Sequence, residues 1–262
     1  MHHFLTRRWM TIHLLTLVIV VVCLLLANWQ FRRLQDRKAD NARVAAQSQL
    51  PTVELDRLLR SAEASSEQVE AASYRSVTVR GVYDVDQQVV LQSRGYKKRP
   101  GNHLLTPLVT PSGDAVLVDR GWVPLEGEGA DPQAAAPPSG TVTLTGLLLP
   151  SERKGLLGVS DPPPGRVTAP PRIALERLED QMPYPLHPLY LRLEDQQPGN
   201  AGSLPEPVPV PPPDEGPHFE YLLQWLLFAA TAFVIYLGLI RRELSRRRAG
   251  AEEPDEPEPV AA

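Results

Sequence analysis

The sequence predicts a membrane protein in which two transmembrane helices flank a small β-rich α+β extracytoplasmic domain of antiparallel strands. Three observations predict it. The stretch from Tyr221 to Ile240 carries no charge, and at about 1.5 Å per residue it is long enough to cross a hydrocarbon layer about 30 Å thick. The stretch from Met10 to Trp29 is a second apolar run, interrupted only by His13, two threonines and Asn28. Between them, from Tyr74 onward, short runs alternate with period two and end at Gly, Pro, Asn or Asp, the pattern of a meander of half-buried strands.

Length and composition narrow the classes further. A chain of 262 residues, 42% hydrophobic and 22% charged, holds one or two domains, and its net charge of -4 gives no support for nucleic-acid binding. Its 28 prolines lie mostly between residues 130 and 213 and again near the C-terminus, so long parts of the chain are neither helix nor central strand. Cys23 is the only cysteine, which excludes an internal disulfide, a Cys-x-x-Cys redox pair and a thiolate metal cage. Met1, Met10 and Met182 are scattered, and no copper-carrier pattern is visible.

In chain order, residues 1–9 form a cytoplasmic N-terminus and 10–29 the first transmembrane helix. A cleaved signal peptide has a shorter apolar core and a small-x-small cleavage site; here the apolar run passes directly into Asn28-Trp29-Gln30-Phe31-Arg32-Arg33, so the span is read as uncleaved. The polar, helix-favouring residues 31–38 continue that helix beyond the membrane, and Leu55 to Leu59 forms a further helical turn. Strands are expected over residues 74–85, 88–93, 103–110, 115–123, 141–149 and 188–194, with a short helix over 172–180. Residues 30–217 thus form the β-rich domain, punctuated by Pro-rich insertions at 130–140, 161–171 and 198–213. The last insertion is expected to be a polyproline II spacer. Residues 218–241 form the second transmembrane helix, and the Glu- and Pro-rich end belongs to a disordered cytoplasmic tail, 242–262. Two spans put both termini on one side. Arg7, Arg8, Arg241, Arg242, Arg246, Arg247 and Arg248 flank the spans there, against Arg32, Arg33, Arg37 and Lys38 on the loop side, which makes the terminal side cytoplasmic.

Enzyme chemistry finds little support. Ser151-Glu152-Arg153-Lys154 matches S-x-x-K, but Pro150 precedes it, Gly155 follows it, and the partner motifs of serine acyltransferases are missing. There is no H-E-x-x-H and no Gly-rich phosphate loop, and the chain is read as a non-enzyme. His2, His3 and His13 lie near the cytoplasmic end of the first span, His103 and His187 in the loop domain, and His218 at the loop-side mouth of the second span. His218, Tyr221 and Trp225 fall at i, i+3 and i+7 and share one helix face. On pattern alone that face reads as an interfacial aromatic belt. The functional alternative makes His218 an axial haem ligand and the aromatics a wall for the macrocycle. Antiparallel spans put the end of the first helix at the depth of the start of the second, so Trp29, Gln30, Arg32 and Arg33 come to face that site. In the strands, Trp122 is expected in the core, Arg120 is expected to pair with an acid, and Gly121 marks a bulge or a close backbone approach.

Several stretches in order carry a resemblance: Trp29-Gln30-Phe31-Arg32-Arg33, Tyr74-Arg75 with Gly81-Val82-Tyr83, Gly101-Asn102-His103-Leu104-Leu105-Thr106-Pro107-Leu108, Val118-Asp119-Arg120-Gly121-Trp122-Val123-Pro124, and His218 with Tyr221, Gln224 and Trp225. Together they resemble the surfeit locus protein 1 family, assembly factors for haem-copper cytochrome c oxidase. Arg-Gly-Trp-Val-Pro is the most specific member of the set. Ala27 departs from the family pattern, which has glycine there. The resemblance implies a two-span protein of the inner or plasma membrane that helps insert haem a into the catalytic subunit of an aa3-type oxidase. It implies haem a, bound transiently, as the cofactor, His218 as iron ligand, and Tyr221, Trp225, Trp29, Gln30 and Arg33 as pocket residues. The implied partners are the oxidase catalytic subunit, haem a synthase and the lipid bilayer. The competing reading is a cofactor-free scaffold that stabilises an oxidase assembly intermediate by protein contacts.

Overall fold

A computed structural model describes residues 6–59, 64–126, 131, 135–152, 165–211 and 214–251. His2, His3, Arg153, Lys154, parts of the three Pro-rich insertions and the tail from residue 252 lie outside the described residues. The chain divides into a helical unit, residues 1–42 with 214–262, and a β-rich unit, residues 43–213.

The helical unit is built from α1, Arg7–Ser48, and α5, His218–Ala251. Both are long and apolar enough to cross a membrane. α1 has no internal Gly or Pro and runs unbroken for 42 residues. Its residues of reduced exposure recur at 9, 13, 16, 20, 23, 27, 30 and 34, alternating steps of four and three as in a left-handed helix pair. On α5 the matching series is 218, 222, 225, 229, 232, 236 and 240. Cys23, Ala27, Ala229 and Ala232 occupy the middle of these stripes, small side chains of the kind that let apolar helices approach closely. The remaining faces, including Leu14, Leu17, Leu25, Leu227 and Val234, are exposed and apolar. Residues 242–251, expected to begin a disordered tail, continue α5 as helix. They contain good helix formers, and Arg247 Nη2 reaches Glu243 Oε1 at 2.7 Å one turn back.

The β-rich unit begins with β1 (Val53–Glu54), α2 (Leu55–Leu58) and α3 (Ser66–Ala72). α3 starts at a capping box in which Gln68 N donates to Ser65 Oγ and Ser65 N donates to Gln68 Oε1. The strands β2 (Ser76–Tyr83), β3 (Val89–Leu91), β4 (Gly101–Val109), β5 (Ala115–Pro124) and β6 (Thr141–Pro150) follow, then α4 (Leu175–Glu179) and β7 (Leu189–Gln197). The order is β1-β2-β6-β7-β5-β4-β3, and β2 also pairs with β4. That last pairing, Val82 with Val109 and Tyr83 with Leu108, closes β2, β6, β7, β5 and β4 into a barrel.

The closed barrel corrects the expectation of an antiparallel domain. Four of the five ring contacts are antiparallel, but β5 and β7 run parallel through Val118–Leu191 and Asp119–Arg192. Strand directions cannot alternate around a ring with an odd number of members, so a five-stranded closed barrel must contain a parallel pair. β1 also adds to β2 in parallel. Alternation places Val77, Val79 and Tyr83 of β2 with Val116, Val118, Leu144, Leu148 and Leu191 in one cluster fed by all five ring strands, the barrel interior. A second cluster from the opposite strand faces, among them Leu117, Leu149 and Tyr190, lies under Ile173, Leu175 and Leu178. Full burial of each such Leu, Ile or Val contributes about 1.5–3 kcal/mol.

The segment expected to be a polyproline spacer is docked on this unit. Trp122 N donates to Glu206 O and Glu206 N donates to Trp122 O, both at 2.8 Å, Pro205 is buried, and Val210 packs on the second cluster. Proline lacks an N–H, but the glutamate between Pro205 and Pro207 keeps one, and that is the residue paired with β5.

Candidate functional site

The site residues read from the sequence fall mostly in the helical unit. α5 starts where Asp214 Oδ1 accepts Gly216 N at 2.9 Å and Gly216 turns with φ +69, a conformation suited to glycine. Pro217 then precedes His218, and Glu220 lies in the first turn, where a negative charge complements the helix dipole. This turn sets His218 on the stripe that includes Leu222 and Trp225.

Across from it on α1, Gln30 is 7% exposed. His218 Nδ1 lies 2.9 Å from Gln30 Oε1. The amide oxygen can only accept, so Nδ1 carries a proton, and in the neutral form of the ring Nε2 keeps its lone pair. Nε2 has no hydrogen-bond partner among the described residues. The structure therefore unites Gln30 with His218, and half-buried Trp225 lies on the same stripe two turns along α5. Trp29 and Tyr221 flank the stripes with 53% and 47% of their surfaces exposed. Arg32 and Arg33 are exposed. The donor set fits a haem iron: Nε2 of His218 is left without a partner among the described residues, Trp29 and Tyr221 are large exposed aromatics next to Gln30 and one turn from His218 along the chain, and Arg32 and Arg33 follow on the adjoining turn of α1.

At the other end of the same stripes, Tyr236 hydroxyl and His13 Nδ1 are 3.0 Å apart. The His13 ring also meets Trp9, with centroids 5.7 Å apart. Reading by hydrophobic length alone missed this pair. The signal was present: His13, Thr16, Cys23, Ala27 and Gln30, five of the small or polar members of an apolar run, fall on one face, while Thr11 and Asn28 lie off it and are exposed; small and polar residues are how helix–helix faces are marked in membranes.

In the β-rich unit the Arg-Gly-Trp-Val-Pro stretch forms the end of β5. Trp122 is fully buried and its Nε1 donates to Arg94 O at 2.8 Å. Any Cβ at Gly101 would overlap the Trp122 ring. Gly121 has φ +124 and sits in a bulge, since Leu104 pairs with Gly121 but Leu105 with Asp119. A close backbone approach occurs there too, from Glu206. The expected acid partner of Arg120 is not found among the described residues. Asp119 instead takes His103 Nδ1 at 3.0 Å and Arg192 Nη2 at 3.2 Å, because successive residues of a strand point to opposite faces.

The SURF1 family model matches residues 17–230. The chain belongs to the SURF1 family. A SURF1-like protein of Mycobacterium tuberculosis (strain H37Rv) is 30% identical over 264 residues, covering 95% of this chain and 90% of the relative. One from Mycobacterium bovis gives the same figures. A SURF1-like protein of Rickettsia bellii is 24% identical over 237 residues, covering 89% of this chain and 92% of its own. The matched region of this SURF1-family chain includes Trp29, Gln30, His218, Tyr221 and Trp225 together with the whole barrel.

Proposed function

We propose that this SURF1-family protein is an assembly factor for a haem-copper cytochrome c oxidase of the aa3 type, and that it binds haem a transiently and aids its insertion into the catalytic subunit. The observation that supports the reading is the Gln30–His218 hydrogen bond, which leaves one imidazole nitrogen free for iron. Haem a is cargo in this scheme. His218 would hold its iron, Trp225, Trp29 and Tyr221 would cover its apolar faces, and Arg32 or Arg33 would meet its carboxylates. A single neutral imidazole is a releasable ligand, which suits transfer. Haem a synthase and the oxidase catalytic subunit are the donor and acceptor. Both termini face the cytoplasm and the barrel lies outside it in this reading, as the arginine distribution favours.

The experiment is purification of the full chain from cells that make haem a. A haem a absorption spectrum is expected with the wild type and is expected to be lost in His218→Ala. Absence of the spectrum in the wild type, or an unchanged one in His218→Ala, overturns the ligand assignment. A C-terminal reporter is expected to be active only in its cytoplasmic form.

A further inference from the structure

Arg120 is the extra residue that the bulge inserts into β5 opposite Leu104 and Leu105. Its guanidinium lies 5.4 Å from the centroid of the Tyr83 ring, at the edge of the barrel interior, and the residue is fully buried. Among the described residues it faces no carboxylate. Nη1 donates to Gln88 Oε1 at 3.4 Å and Nη2 to Asn200 Oδ1 at 3.3 Å, while Nε has no partner. Hydrogen bonds from a cation normally run about 2.7–2.9 Å, so both contacts are long and to neutral groups. Burial also pulls the Arg120 guanidinium below its ordinary pKa, with the neighbouring Tyr83 opposing the shift.

The amide acceptors around Arg120 are already engaged, and the one other acceptor that meets the guanidinium is the neutral Tyr83 hydroxyl. Gln88 Oε1 also takes the Thr106 hydroxyl at 2.9 Å, Asn200 Oδ1 also takes Gln196 Nε2 at 2.9 Å, and Gln196 Oε1 takes the Tyr83 hydroxyl at 2.9 Å. What is left over is donors: Arg120 Nε and the amide NH2 groups of Gln88 and Asn200, which make no hydrogen bond among the described residues. A buried positive charge with a spare donor and only neutral acceptors around it is the complement of an anion. One uncompensated charge is balanced by a monoanion, whereas a dianion would leave a buried excess. The cover is thin, because Asn200 turns inward from a loop whose neighbours Pro198, Gly199 and Ala201 are exposed.

We infer that this end of the barrel binds a carboxylate, which takes the guanidinium of Arg120 in place of the Asn200 amide oxygen. The inference does not rest on the haem reading. The carboxylate has two possible sources, a free small acid or the C-terminus of a polypeptide, and N-acetylglycine against acetate separates them: tighter N-acetylglycine assigns the site to a chain end, tighter acetate to a small acid.

The test uses the full chain in detergent, with acetate or N-acetylglycine exchanged for chloride at constant ionic strength and the unfolding temperature as readout. The wild type is expected to show a saturable rise, and Arg120→Gln to weaken the response by about tenfold or more, the loss of charge-assisted hydrogen bonds. Asn200→Asp supplies a tethered carboxylate at the covering position. It is expected to raise the unfolding temperature without any added acid and to abolish the response to acetate, and it keeps the test decisive even where Arg120→Gln does not fold. No saturable response in the wild type beyond that to chloride, an equal response in Arg120→Gln, or an Asn200→Asp protein that is less stable and still responds overturns the inference.

Discussion

His218 Nδ1 and Gln30 Oε1 are 2.9 Å apart, and on the same two helices the Tyr236 hydroxyl and His13 Nδ1 are 3.0 Å apart. Residues 13 to 30 of α1 rise about 26 Å and residues 218 to 236 of α5 about 27 Å, close to the thickness of a hydrocarbon layer at about 30 Å. The apolar seam of the hairpin is thus bracketed by one polar pair at each end. Sliding one helix past the other by a turn would break both pairs at once, so together they set the register that holds His218 opposite α1.

The Gln30 amide acts on His218 through its tautomer. Gln30→Leu keeps the helix and its packing but leaves Nδ1 without an acceptor, freeing the ring to rotate and to place its proton on either nitrogen. We expect haem a retention to fall by about 10–100-fold, the usual effect of losing a partner that orients a ligand, read as absorbance per protein after dilution. Retention equal to the wild type would show that Gln30 does not orient the ring.

The opposite pair has a different role. Tyr236→Phe removes only the hydroxyl, and hydrogen bonds between membrane helices contribute about 0.6 kcal/mol on average. A double-mutant cycle with His13→Leu should give a coupling of that size while leaving any haem spectrum intact. A lost spectrum in Tyr236→Phe would mean that the two ends of the hairpin are not independent.

The strands were legible because alternation is local: Ser76 to Tyr83 places Val77, Val79, Gly81 and Tyr83 inward, all of them buried. Closure was not, since it depends on two residue pairs between β2 and β4 that no local pattern marks. α3 was missed although Ser65-Ser66-Glu67-Gln68 is a capping-box signature, because the helix it starts is only seven residues long. The composition of residues 198–213 spoke for an extended spacer, while the pairing of Glu206 with Trp122 is a contact between distant parts of the chain. At the site, the helical spacing of His218 and Trp225 could be read directly. That Tyr221 falls beside the seam while Leu222 falls in it follows from the four-and-three rhythm of the pair, which a single helix does not reveal.

Asp119 holds three donors at once: His103 Nδ1, Arg192 Nη2 and, at 3.2 Å, Gly121 N. Asp119→Ala leaves the buried His103 and the Arg192 guanidinium without their carboxylate and is expected to cost about 3–5 kcal/mol, measured by urea unfolding of the full chain. Asp119→Asn keeps an acceptor and the shape, and should cost less. A loss under about 1 kcal/mol in the alanine variant would mean that the network is effectively solvated.

His187 predicts a pH dependence. It is buried with Nδ1 unpartnered, and burial holds its pKa below the ordinary value, although Asp114 and Asp56 pull the other way. With the folded pKa below the unfolded one, the unfolded chain takes up the proton first as pH falls. The stability from a neutral His187 is therefore full above about pH 6.5 and is lost as pH drops from there through the folded pKa. His187→Gln cannot titrate, so the fall in unfolding midpoint between neutral and mildly acidic pH should be shallower in that variant. An unchanged slope refutes the assignment.

Gly121 joins the bulge to the docked Pro-rich segment, and a methyl group there tests both. Its φ of +124 is rarely adopted by other residues, and an added Cβ would overlap the Glu206 carbonyl oxygen and lie 2.8 Å from its carbon. Backbone on the far side cannot rotate away as a side chain would, so Glu206 must shift and the two 2.8 Å bonds with Trp122 must lengthen or break. Gly121→Ala is expected to cost more than about 1–3 kcal/mol, since the strain of the backbone conformation adds to the lost bonds. Release of the segment is expected to bring faster proteolytic cleavage within residues 199–211, ahead of any cleavage in the strands. Gly202→Ala is the internal control, because a Cβ there meets nothing within 4 Å and should change stability by no more than about 0.5 kcal/mol. If Gly121→Ala and Gly202→Ala are cleaved at the same rate, the Pro-rich segment is not held by β5.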